Sequence, residues 1–108
     1  MSQLSKYLTR KTLVRLNEVN RVALHFEDGS IVLAVYNPLS VVRNSIIISC
    51  DALKTFLPLI VNDIIESHVR AVLFFDHGIS IDIDLLATSN TGPETMSLRI
   101  GSEGFVVW

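Results

Sequence analysis

The chain is short of the residues that mark disulfide-bonded, metal-bound or membrane-spanning proteins. It holds one cysteine, Cys50, in 108 residues, so it can build neither a disulfide framework nor a metal cluster on thiols. Charge is sparse at 19%. The longest apolar stretch, ALKTFLPLIVNDII from Ala52, is interrupted by Lys54, Pro58, Asn62 and Asp63 and falls short of the roughly 20 apolar residues a membrane helix needs. The opening MSQLSKYLTRK has no apolar core ahead of a small-residue cleavage site, so it does not read as a secretory signal. No membrane association is expected, and the expected location is intracellular, in the cytoplasm.

What is present in quantity is apolar side chain. Apolar residues make up 49% of the chain and the mean hydropathy is +0.44, far from the composition of a disordered segment. At this length one core is expected and two independent ones are not, so residues 1–108 are read as a single domain. The net charge of -2 is unevenly placed. Residues 1–21 carry Lys6, Arg10, Lys11, Arg15 and Arg21 against Glu18, a local +4, which leaves -6 for the rest.

A helix-then-hairpin pattern occurs twice. RVALHFEDGSIVLAV from Arg21 matches RAVLFFDHGISIDID from Arg70 without gaps, 49 positions on. Ahead of the first hairpin, Leu4, Tyr7 and Leu8 follow helical spacing, and a helix over residues 3–18 is expected, capped by Ser2. Lys11 and Arg15 interrupt its apolar stripe, and a strand at TLVRL is the alternative. Ahead of the second hairpin, Leu53, Phe56, Leu57, Ile60 and Ile64 predict a buried helix capped by Asp51 and kinked at Pro58. NSIIIS from Asn44 reads as a strand, residues 89–93 as a surface loop, and MSLRI and FVVW as closing strands, with Trp108 on the core. The expected class is α+β: two αβββ-like halves, about 2–50 and 51–108, forming one antiparallel sheet with both helices packed on it and an extra C-terminal strand. The halves are a candidate internal repeat.

Function is less legible than shape. Three-residue loops at Glu27-Asp28-Gly29 and Asp76-His77-Gly78 would place Val22, Leu24, Phe26, Val32 and Ala34 on the core, together with Ala71, Leu73, Phe75, Ile79, Ile81 and Ile83. Ala23, His25, Ile31, Leu33 and Val35 would then form an apolar outer face. That face is the candidate partner interface, because contiguous exposed apolar patches mark association sites. The leading expectation is a small non-enzymatic protein-interaction or regulatory protein, homodimeric, of the kind found among viral or phage accessory factors and chaperone-like adaptors. The alternative is a nucleic-acid-binding protein using Lys6, Arg10, Lys11 and Arg15 on a basic N-terminal helix. No catalytic motif is found, and no cofactor or metal is expected. Asp82 and Asp84, with Asp76 and His77 nearby, lack a ligand spacing and read as a solvated strand face.

Overall fold

The computed structural model describes residues 3–19, 21–27, 29–86, 96–101 and 104–107. Two short helices, α1 (Gln3–Leu8) and α2 (Cys50–Lys54), each precede five strands. After α1 come β1 (Thr12–Val19), β2 (Arg21–Phe26), β3 (Ile31–Val35), β4 (Leu39–Arg43) and β5 (Ile46–Ile48). After α2 come β6 (Leu59–Glu66), β7 (Arg70–Phe75), β8 (Ile79–Asp84), β9 (Met96–Ile100) and β10 (Phe105–Val107). The protein is mostly sheet. Among the described residues, no helix is long and apolar enough to cross a membrane.

Both expected helices are much shorter than the sequence pattern suggests, and strands take their place. Arg10, at φ 72°, ends the first helical segment, and Leu13 and residues 15–19 pair with β2. The second helix is capped by Ser49, whose hydroxyl accepts from the Ala52 N–H at 3.0 Å, and not by Asp51. It ends at Lys54, before the cis Leu57-Pro58 peptide, and of its expected stripe Phe56 and Leu57 lie in the link while Ile60 and Ile64 fall in β6. The reason is the same in both places. A bulge between Leu13 and Arg15, and another between Val61 and Asp63, inserts one extra residue into each strand. Leu13 and Leu16 therefore both face the core, as do Val61 and Ile64. A bulged strand thus presents apolar residues three apart, which imitates a helical face.

The ten strands follow the order β10-β9-β3-β2-β1-β6-β7-β8-β4-β5, and every pairing is antiparallel. Laid flat, ten strands would span about 43 Å, but the longest Cα dimension is 32 Å. The sheet therefore coils, and the inner faces of its two halves share one core that runs from Leu24, Phe26 and Leu33 to Leu73, Phe75 and Ile81. The halves meet where Thr12 and Leu13 of β1 pair with Ile60 and Leu59 of β6. Two further bonds extend this seam: Val61 N–H donates to Lys11 O, and Arg10 N–H to Val61 O, each at 2.9 Å.

Each half lends its last hairpin to the other. β4 and β5 add to β8, while β9 and β10 add to β3. The helices cross over as well, α1 packing on β6 and α2 on β1. Glu66 Oε1 accepts from the Leu4 N–H at 3.2 Å, and Glu18 lies 3.6 Å from Lys54 Nζ. Asn37 closes the crossing from β3 to β4, its Nδ2 donating to Asp84 O at 3.0 Å. The expected αβββ halves are thus longer by a hairpin, and the strand order repeats. The gapless match at an offset of 49 positions does not hold in the first loop, because Phe26 pairs with Ile31 across four residues, whereas the second loop has three. A repeated strand order says nothing by itself of a common origin for the two halves.

That extra residue reverses the expected faces of β3. Val22, Leu24 and Phe26 stand opposite Val35, Leu33 and Ile31, so all three β3 residues turn inward, and Val32 and Ala34 turn outward. Burying Ile, Leu and Val in place of Val and Ala removes more apolar surface from water, and the loop adjusts to it. The second hairpin keeps the expected inner face. The expected cap at Ser2, the loop at 89–93 and the placement of Trp108 lie outside the described residues.

Leu33 is fully buried between Leu24 and Leu98. Leu33→Ala should therefore lower unfolding free energy by about 2–5 kcal/mol in urea titrations, whereas the neighbouring Val32→Ala should change it by less than about 1.5 kcal/mol. Equal losses at the two positions would contradict this register.

Candidate functional site

The five residues expected to form one interface lie on two faces. Ile31, Leu33 and Val35 belong to the core, and only Ala23 and His25 remain on the outer surface. The four cations expected on one helix are likewise divided. Lys6 is on α1, with its Nζ 5.3 Å from the Tyr7 ring centre. Arg10 and Lys11 lie in the link to β1, and Arg15 projects from β1 itself. Lys6 and Lys11 line an open hollow of about 510 Å³ together with Tyr7, Ser30, Ile31, Ile100 and Gly101; Arg15 does not reach it.

Arg15 belongs to a different surface, the outer face of β1, β2, β3 and β9. Side chains alternate along a strand, so pairing register arranges this face in rows. Arg15, His25, Val32 and Arg99 make one row, and Asn17, Ala23, Ala34 and Ser97 make the next. Arg21 and Tyr36 follow, the guanidinium carbon 5.9 Å from the ring centre. Asn17 Nδ2 lies 3.1 Å from His25 Nε2. Partial burial, followed by the charges of Arg15 and Arg99, pushes the His25 imidazole below its ordinary value. Arg21 counts in the sequence only toward the local positive charge and Arg99 not at all, because only strand pairing brings them to Arg15, from 6 and 84 positions away.

The matching outer face of the other half is acidic and apolar. Asp63, Phe74, Ser80, Val42 and Ile47 form one row, and Ile65, Val72, Asp82 and Ser40 the next. Arg70 stands opposite Asp84 in register but makes its ion pair with Asp82, at 3.6 Å. Asp84 Oδ1 accepts from Leu86 N–H, and Asp76 Oδ1 from Asn62 Nδ2. Among the described residues no three His, Cys, Asp or Glu side chains gather as a metal site. Cys50 is also held back chemically. Burial, then the neighbouring Glu18 carboxylate, raises its thiol pKa, so it stays protonated near neutrality.

The sheet ends at β5, a second candidate surface. Ile46 and Ile47 are 66% and 74% exposed there. Asn44 and Ser45, with φ of 51° and 70°, form the two-residue turn of the β4-β5 hairpin, the conformation that matches strand twist. In such a hairpin Arg43 and Ile46 exchange hydrogen bonds, and the next pair, Val42 and Ile47, does not. The N–H and C=O of Ile47 consequently point away from β4, along the outer edge of the sheet.

The depressed pKa of His25 links folding to pH. The folded state favours neutral imidazole, so this contribution is complete above the ordinary value of 6.5 and is lost as pH falls through the lower folded value. Replacing His25 with Gln should flatten the decline of Tm between about pH 7 and pH 5, measured by calorimetry beside the parent chain; an unchanged slope would assign the decline to other groups. No known family model matches this chain, and neither a curated protein nor a solved structure is similar to it.

Proposed function

We propose that the protein is a non-enzymatic interaction module that self-associates by pairing β5 with β5 of a second copy. The supporting observation is the uncovered apolar edge at Ile46 and Ile47. Sheet proteins ordinarily blunt such edges with lysine, proline or a bulge. Here no charged residue and no proline occurs from Asn44 to Cys50, and the β4-β5 register is unbroken.

A second copy suits this edge for a reason of symmetry. A two-fold interface sets each residue against its own counterpart or near neighbour, so a charged edge would repel itself. Antiparallel pairing centred on Ile47 satisfies the outward N–H and C=O of both copies. It sets Ile46 of one copy beside Ile48 of the other, apolar against apolar. Two backbone bonds contribute about 0.5–1.5 kcal/mol each, and the exposed Ile46 and Ile47 of the two copies contribute at most about 1.5–3 kcal/mol per side chain. Association itself costs several kcal/mol. The balance describes a dimer of micromolar affinity or weaker, whose population depends on concentration.

Sedimentation velocity from about 5 µM to about 500 µM should show reversible dimerisation of the parent chain. Ile47→Lys should remain monomeric over the same range with an unchanged circular dichroism spectrum. Ile65→Lys, at an exposed position away from the edge, should dimerise like the parent. A parent chain that stays monomeric throughout, or equal loss in both variants, would overturn the β5 pairing.

A further inference from the structure

The two outer faces occupy equivalent positions in the repeated strand order and differ in charge. Register sets Arg15 of β1 where the other half has Asp63 of β6, His25 of β2 where it has Phe74 of β7, and Ala34 of β3 where it has Asp82 of β8. One face therefore presents Arg15, Arg21 and Arg99, and among the described residues no carboxylate projects from it. The other presents Asp63, Asp82 and Asp84 with Arg70. Nothing in the fold requires this division, since both faces cover the same core.

From the basic face we infer a binding surface for single-stranded nucleic acid, lying across β1, β2, β3 and β9. Three features of the face fit that ligand. The first is charge placement: Arg15 and Arg99 flank one row three strands apart, about 14 Å, and Arg21 lies on the far side of the next row. The second is a floor of small side chains. Ala23 and Ala34, 8% and 7% exposed, lie with Asn17 and Ser97 between rows about 13 Å apart, which leaves a shallow trough bordered by longer side chains. The third is stacking surface. Tyr36 stands at one border beside Arg21 and His25 at the other, and bases stack on such rings in a sequence-tolerant way. With its pKa lowered, His25 presents a neutral ring at pH 7, and the fixed cations come from arginine. The face shares only Arg15 with the N-terminal set of Lys6, Arg10, Lys11 and Arg15, and the inference does not depend on β5 pairing.

The probe is a fluorescein-labelled oligothymidylate of about 15 nucleotides, titrated with the whole chain and read by anisotropy. Binding should be clear at low salt and weaken with a log–log slope of roughly -2, as three neutralised phosphates on a single strand require. Arg15→Gln with Arg99→Gln should weaken binding at least about tenfold, and Tyr36→Leu at least about fivefold. Arg43→Gln, a cation on the inner side at the β5 end, should bind like the parent. Circular dichroism should be the same for all four. Absence of binding at low salt, or an equal loss in Arg43→Gln, would overturn the inference. So would an Arg15/Arg99 variant that keeps its affinity for the oligonucleotide but loses a salt-sensitive self-association. That result would assign the basic face to the acidic face of a second copy, and β5 pairing, an apolar contact, would not share its salt dependence.

Discussion

The structure depends on a short antiparallel seam between β1 and β6. Thr12 pairs with Ile60 at its centre, with Leu13 opposite Leu59 on one side and Lys11 bonded to Val61 on the other. It joins two five-strand assemblies through few backbone bonds, yet Leu13, Leu59 and Val61 are all fully buried there. Hydrogen bonds of this number contribute only a few kcal/mol. The strength of the junction lies in what it positions: two inner faces brought over one core, and two helices each seated on the opposite half. The carboxylates of Glu18 and Glu66 complete the crossing from either side.

How far this was legible in the sequence can be traced to particular residues. The second hairpin is plain, because Leu73, Phe75, Ile79, Ile81 and Ile83 alternate around a three-residue loop and nothing competes with that pattern. The first hairpin carries the same signals, but Ser30 adds a loop residue that shifts β3 by one and exchanges its faces. Glycine in both loops concealed the difference. The bulges of β1 and β6 space Leu13 from Leu16 and Val61 from Ile64 as a helix would, so β6 was hidden and β1 was visible only as the alternative strand at TLVRL. The strand β4 was missed because LSVVR is short and stands next to Pro38. Its partner β5 was visible as NSIIIS, though not that it would end a sheet.

The candidate surfaces were hidden for another reason. Periodicity reports which residues of one strand share a face, but a four-strand face gathers Arg15, Arg21 and Arg99 only after pairing is known. The same is true in reverse of Ile31, Leu33 and Val35, which are conspicuous in the sequence and turn out to be core. Core and surface thus differ to different degrees between the halves. The inner faces use interchangeable aliphatic residues at matching positions, since packing asks for volume and tolerates exchange among Leu, Ile and Val. The outer faces, free of that demand, have taken opposite charge.

The exchanged hairpins set the order in which the chain can complete itself. Leu33 meets Leu98 only when β9 has been made, and Val41 must wait for Ile81. During synthesis the first half therefore emerges with both β3 and the β4-β5 hairpin lacking their final neighbours. Such non-local pairing slows folding and leaves strand edges open meanwhile. The triple isoleucine of β5 is among the segments so exposed. The geometry that interlocks the finished fold thus leaves apolar strand edges of the first half open until the second half has joined them.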